Sequence, residues 1–397
     1  MIEIIIAIAL GILAGTISGI IPGVHTNLIN TLLLSLSPLL LQFTSPLILS
    51  VFIISMVILH SFMNSIPAIY LGAPESSDNA LTVLPGHKYL LKKKGFEALT
   101  LTVIGSLLSL IIGILLTPVI IKILPIIYTT IKDYIGYLLL ITISLLILRD
   151  QKKLIALFIF LLAGVYGLAT LNLNIQNPLF PMLSSLFGIS GLLLSLKNKT
   201  TIPKQIITYP KIFTKQTLKA LFSGTLIGTF TTLMPGLGPA QAAIIASQLT
   251  KLKDSGFLIL VGALDTLAMV TSFIAIYSID KARNGAVIII GKLIETITLQ
   301  NLILFLTVTL ITGIIATFLT LKLAKFSSSL ITKINYQKLG ISIIILITIM
   351  TFWLSSYQGL LVLTIGSFLG LLPPLLGTGR NHLMGCLIIP TILYLIL

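Results

Sequence analysis

The chain has 397 residues, 56% of them hydrophobic and 9% charged, with a mean hydropathy of +1.13; apolar runs this long and numerous exclude a soluble core and require an integral membrane protein. A formal net charge of +15 would fit a nucleic-acid binder only if the basic residues shared a face, and here they punctuate apolar spans, so nucleic acid is excluded as a partner. One cysteine, Cys386, excludes an internal disulfide and any multi-thiolate metal site, and reads as a packing residue.

The N-terminus, Met1-Ile2-Glu3, lacks the basic region of a cleaved leader, so the first apolar run is read as a retained span. The first half then divides into about seven apolar segments, 2–21, 24–42, 46–71, 97–121, 134–148, 154–171 and 178–196. The second half gives about as many: 216–235, 239–250, 256–279, 300–321, 340–353, 358–373 and 381–397. Residues 197–215 are the most polar stretch and read as a cytoplasmic linker between a first repeat, 1–196, and a second, 216–397.

Internal similarity supports duplication. The lead-in Gly15-Thr16-Ile17-Ser18-Gly19 precedes a break at Pro22-Gly23, and Gly224-Thr225-Leu226-Ile227-Gly228 precedes one at Pro235-Gly236-Leu237-Gly238-Pro239. Downstream of each lies a related hexapeptide, Ser65-Ile66-Pro67-Ala68-Ile69-Tyr70 and Ser272-Phe273-Ile274-Ala275-Ile276-Tyr277. An odd number of segments per repeat makes the second enter the membrane in the opposite sense. Placing the 72–95 loop inside and alternating thereafter leaves only Lys122, Lys132, Lys281, Arg283 and Lys292 outside among the 25 Lys and Arg. The expected architecture is an all-α polytopic protein of the cell membrane, with two inverted-topology repeats, both termini external, and Pro-Gly-broken helices or re-entrant hairpins.

A helix interrupted at the same place in both repeats frees backbone groups for a solute near the bilayer midplane. The expected substrate-binding residues are therefore Pro22, Gly23, His25, Thr26 and Asn27 at the first break, and Pro235, Gly236, Gly238 and Gln241 at the second. A helix starting just after such a break aims free amides and its positive dipole end at an anion. Ionisable groups inside apolar spans are costly enough to be functional by default; His60 and Asp265 are thus ion-coupling candidates, with Glu75 and Asp78, in either a cytoplasmic turn or a loop dipping toward the cavity, as weaker ones. Arg380 and His382 fit a loop at the last turn, and no residue set specifies a metal or an organic cofactor.

At these residues the chain resembles the large membrane subunit of tripartite tricarboxylate transporters. The likeness covers the Gly-rich lead-in with Pro22-Gly23, the span-to-loop passage with Pro74, the downstream Gly95-Phe96-Glu97-Ala98-Leu99, and the second lead-in with Pro235-Gly236-Leu237-Gly238. The resemblance implies a permease for small carboxylates driven by a Na+ or H+ gradient, working with an extracytoplasmic binding protein and a small membrane subunit. The chain departs from the family where Gly72-Ala73-Pro74-Glu75 replaces an Asn-x-Pro-Gly sequence, and where Asp265 stands alone near a place that carries an acid and paired asparagines.

The leading reading is a secondary transporter for a small organic anion, working by alternating access around the two breaks. The runner-up is a translocase for an anionic lipid, because polyprenyl-phosphate translocases also resemble paired Pro-Gly-broken repeats. An intramembrane enzyme is not expected, since neither a His-Glu-x-x-His zinc motif nor a Gly-x-Ser-x-Gly nucleophile turn is present.

Overall fold

The computed structural model describes residues 2–21, 26–71, 77–175, 178–197, 203–212, 214–232, 239–282, 284–330 and 336–396, and no strand occurs among them. In the first half the helices are α1 (Ile2–Ile20), α2 (Thr26–Ser35), α3 (Ser37–Leu40), α4 (Pro46–Met63), α5 (Ser77–Leu91), α6 (Gly95–Ile131), α7 (Ile135–Arg149), α8 (Lys153–Asn172), α9 (Leu179–Leu183) and α10 (Ser190–Lys197). The second half contributes α11 (Lys215–Thr231), α12 (Pro239–Thr250), α13 (Asp254–Ile279), α14 (Gly285–Leu293), α15 (Leu299–Leu330), α16 (Tyr336–Leu376) and α17 (Gly385–Ile396). Among the described residues seven helical stretches are long and apolar enough to cross a bilayer. The protein is an all-α, multi-pass membrane protein.

Two of those seven stretches each contain two of the segments expected from sequence. Gly95–Arg149 turns through a 3-10 segment at Lys132–Tyr134. Gly340–Leu376 is interrupted at Ser356, whose φ of 55° and ψ of −161° are not helical. A Cβ built on Gly359 would lie 3.2 Å from Thr351 Cγ2, although a straight helix separates residues eight apart by roughly 12 Å. The chain therefore folds sharply at Ser356, and segments 340–353 and 358–373 are its two limbs.

Local sequence explains where the helices begin and end. Ser45 caps α4 by accepting from Ile48 N, with Pro46 in the first turn, and Thr214 caps α11 by accepting from Thr217 N. Pro67 has no N–H to return to the preceding turn, and after it the chain continues as a wider π turn, Pro67–Leu71. Its counterpart by the hexapeptide match is Ile274, and α13 runs unbroken to Ile279. The half-length helices α2 and α12 have 10 and 12 residues, roughly 15 and 18 Å or about half a bilayer.

Glycines let the helix axes approach closely, and the order of their contacts gives the directions. Gly11, Gly15 and Gly19 of α1 meet Ser55, Met56 and Met63 of α4 in rising order, so these helices are parallel. Gly224 and Gly228 of α11 meet Leu260 and Leu264 of α13 in the same way. α6 runs alongside α13, with Ser106 Oγ donating to Gly262 O and Ser109 Oγ to Ala263 O. α15 runs alongside α4, with Thr312 bonded to Ser55 and Tyr70 Oη donating to Ala324 O. Gly95, which opens α6, lies against the Tyr70 ring that follows α4. Because α6 starts where α4 ends and then follows α13, α4 and α13 are antiparallel.

The hydrophobic cores draw on both halves of the chain. The largest is built mainly from α1, α4, α6, α11, α13 and α15, and α4 and α13 are its most enclosed spans. A second core joins α7 and α8 to the second limb of α16 and to α17. A third sets α9, α10 and the π turn Ser184–Ile189 against α16. Cys386 is fully buried in the second core, as its packing role requires, with Gly167 against its carbonyl.

Residues 203–212 have no regular secondary structure and lie against the helices. Gln205 Oε1 accepts from Gly95 N, Gln205 Nε2 donates to Leu90 O, and Thr208 donates to Glu97. The linker is thereby fastened across the start of α6, which also holds the Gly95–Leu99 motif. A Cβ on Gly95 would lie within 3 Å of Leu90, Gln205 and Tyr70, so a larger residue there would have to displace these side chains.

Candidate functional site

The C-terminal ends of α1 and α11, which precede the two Pro-Gly sequences, are held by interhelical hydrogen bonds. Ser18, in the last turn of α1, has Oγ 3.0 Å from His60 Nδ1 on α4. At the end of α11, Thr232 Oγ1 lies 2.7 Å from Thr271 Oγ1 on α13. Both pairs are buried, where a bond between helices replaces hydration that lipid cannot supply. α1 ends beside the last turn of α4, at His60–Met63, and α11 just past the middle of α13, near Leu267–Thr271. Since α4 and α13 are antiparallel, the two ends are staggered in depth and approach from opposite sides.

His60 is buried at 2% exposure and serves the interhelical bond just described. The position matching it on α13 is Leu267, which packs on Gly228 as His60 packs on Gly19. The contact is polar at Gly19 and apolar at Gly228. Asp265 is half-exposed; from Leu258 to Ala275 only Asp265 and Ala268 are not buried.

Among the sequence candidates, Pro22, Gly23, His25, Glu75, Pro235, Gly236 and Gly238 lie outside the described residues. Thr26 opens α2 and is half-buried. Asn27, Asp78 and Gln241 belong to the helical backbones of α2, α5 and α12, and their side chains are outside the described set. The stretch read as either a turn or a dipping loop holds α5, which packs on the π turn, α6, α12 and α13. Lys88 in its last turn pairs with Asp254 at the start of α13, 3.3 Å apart. Pro85 inside this helix and its mixed polarity hid it from a periodicity reading.

Sequence reasoning missed Ser18, Thr232 and Thr271 because single hydroxyls in apolar runs are common and carry no spacing signal. It also passed over Asn64 and Ser272, which are buried with side-chain oxygens lacking a hydrogen-bond partner. Arg380 packs against Gly191 of α10, and His382 Nε2 lies 2.8 Å from Asp150 Oδ2 in the turn between α7 and α8, away from the ends of α1 and α11. Among the described residues no three His, Cys, Asp or Glu side chains converge on a metal-sized site. An apolar cleft of about 440 Å³ between α6 and α11, lined by residues such as Leu116, Ile123 and Phe230, contains none of the candidate residues.

A multi-pass helical protein in which α1 and α11 end against its two most enclosed spans, α4 and α13, has the build of a membrane transport protein. The chain belongs to the tripartite tricarboxylate transporter TctA family, whose model matches residues 5–385. It is similar to an uncharacterized protein of Methanocaldococcus jannaschii, with 31% identity over 397 residues covering 97% of each chain. No solved structure matches it.

Proposed function

We propose that the protein is the permease of a secondary transport system for a small organic anion, a di- or tricarboxylate being the class the family name indicates. The observation that carries this reading is the family match over nearly the whole chain. Reciprocal packing adds support: α1 on α4 answers α11 on α13, α4 on α15 answers α13 on α6, and α2 on α14 answers α12 on α5. Exchanging the two units leaves this pattern unchanged, as expected of inverted repeats with both termini on the external side of the cell membrane.

In this reading the solute sits in the interval between the ends of α1 and α11. Backbone amides around Pro22-Gly23 and Pro235-Gly236-Leu237-Gly238, the first turns of α2 and α12, and Thr26, Asn27, His25 and Gln241 hold its negative charge. Asp265, a partly exposed acid within the otherwise buried run of α13, serves the coupling cation, Na+ or H+; His60 positions the end of α1, and Glu75 and Asp78 are secondary candidates. Rocking of one unit against the other exposes the interval to each side in turn. An extracytoplasmic binding protein and a small membrane subunit are the expected partners.

Reconstituted liposomes provide the test, with labelled citrate uptake and the scrambling of a phosphorylated polyprenyl lipid measured on the same preparation. Gradient-driven citrate uptake is expected, and Asp265→Asn should reduce it at least tenfold and remove its dependence on the cation gradient. Lipid scrambling without carboxylate uptake would overturn the reading in favour of the lipid translocase.

A further inference from the structure

Arg380 opens the 3-10 turn Arg380–Met384 between α16 and α17, and its guanidinium lies over Gly191 of α10, where a Cβ would stand 3.2 Å from Nη1. Among the described residues no hydrogen bond or ion pair engages this guanidinium. Segments 135–197 and 336–396, which build the second and third cores, contain one acid, Asp150. Its carboxylate is already taken, accepting from Lys152 N and Gly379 N and lying 2.8 Å from His382 Nε2. The half-buried arginine therefore finds no counter-charge in its own part of the protein, and a cation drawn out of water without one is costly.

Cations and bare apolar side chains lie side by side around it. Asp150 fastens the loop before Arg380 to the turn between α7 and α8, and Lys152 Nζ donates to Leu376 O, 2.7 Å away. That turn carries Arg149, Lys152 and Lys153, all exposed, so three further cations stand at the end of the helices where Arg380 lies. All four belong to the side that the distribution of lysine and arginine assigns to the cytoplasm. Leu154, next to Lys153, and Leu375, next to Leu376, are 83% and 61% exposed. Basic groups bordering uncovered apolar surface match a phospholipid, whose negative headgroup and hydrocarbon chains meet in the same way. A free anion would use only the basic half of this surface.

We propose that Arg380 binds the phosphate of an anionic membrane lipid, whose chains lie on Leu154 and Leu375. A guanidinium offers paired N–H donors that match two phosphate oxygens. Arg149, Lys152 and Lys153 contribute positive potential that draws the headgroup to this end of the helices. The lipid supplies the charge that the chain lacks and ties α10 to the junction of α16 and α17. It is a resident of the fold and not its cargo, since Arg380 lies away from the ends of α1 and α11, and the assignment holds whatever solute the protein carries.

The test is thermal unfolding of the delipidated full chain in detergent, with phosphatidylglycerol, phosphatidylcholine of the same chains, or inorganic phosphate added. Phosphatidylglycerol should raise the wild-type melting temperature above that in phosphatidylcholine, and Arg380→Gln should remove at least half of the difference. Lys122→Gln, which takes one exposed cation from α6, should keep it. In phosphatidylcholine Arg380→Gln should melt at or above wild type, because it removes a charge that the chain itself does not pair. Equal wild-type melting in the two lipids would overturn the assignment, as would an Arg380→Gln variant that melts several degrees lower in phosphatidylcholine, or a Lys122→Gln loss as large as that of Arg380→Gln. Inorganic phosphate that alone produces the whole shift would overturn the lipid and leave a free phosphate as the occupant.

Discussion

Ser18 and His60, 42 positions apart in sequence, meet with Oγ and Nδ1 separated by 3.0 Å, and this contact fixes the level at which the chain leaves α1. Truncating either partner removes an interhelical bond in a setting without water to replace it. Ser18→Ala and His60→Leu should each destabilise the protein by about 1 kcal/mol. The double variant should fall short of the sum, with a coupling of about 0.5–1.5 kcal/mol in a double-mutant cycle of unfolding free energies. Strict additivity would mean that the two side chains act independently.

The crossing of α6 and α13 depends on two glycines that face each other's helix. A Cβ on Gly105 would sit 2.0 Å from Ile259 O, and one on Gly262 would sit 2.1 Å from Thr102 O. Backbone carbonyls cannot swing aside as a flexible side chain does, so the helices would have to separate. Gly105→Val should cost more than about 3 kcal/mol and yield aggregated protein on size-exclusion chromatography in detergent. Gly188→Ala is the matched control, because its nearest neighbour would be an Ile347 methyl at 3.9 Å.

Asp150, in the turn between α7 and α8, is tied to His382, just before α17, by a 2.8 Å contact. Burial works against its ionisation, but donation from Lys152 N, together with the contacts to His382 and Gly379 N, outweighs burial and lowers its pKa below the ordinary carboxylate value. A lowered carboxylate pKa adds stability that is fully present above the unfolded-state value and is lost as pH falls through the folded-state value. Wild type should therefore lose melting temperature in acid, from about pH 4 downward, while Asp150→Asn melts lower at neutral pH and lacks that acid-dependent step. Parallel melting curves for the two proteins across that range would contradict the assignment.

Much of the architecture is legible in the amino-acid order because lipid imposes simple rules. Long apolar runs marked the crossing helices, and Ser45 and Thr214 mark helix starts by the ordinary capping chemistry. The hexapeptides Ser65–Tyr70 and Ser272–Tyr277 both fall on long helical stretches, although Pro67 turns only the first into a π segment. What sequence could not supply was the pairing of helices. Nothing local to Gly105 or Gly262 says that these two surfaces meet, and nothing in the isolated Asn30 says that its amide is buried without a partner among the described residues. Helix α5 was missed for a different reason: it carries Pro85, Gly86 and several polar residues, and its order depends on the helices around it.

The sharing of each core between the two halves has a consequence for biosynthesis. α4 and α6 leave the ribosome well before α15 and α13, the neighbours against which they finally lie, so the early helices must wait in the membrane with small-residue surfaces uncovered. An N-terminal fragment ending at the linker would complete neither large core and is a natural client for quality-control proteolysis. Supplying residues 216–397 as a separate polypeptide would give those waiting surfaces their missing neighbours.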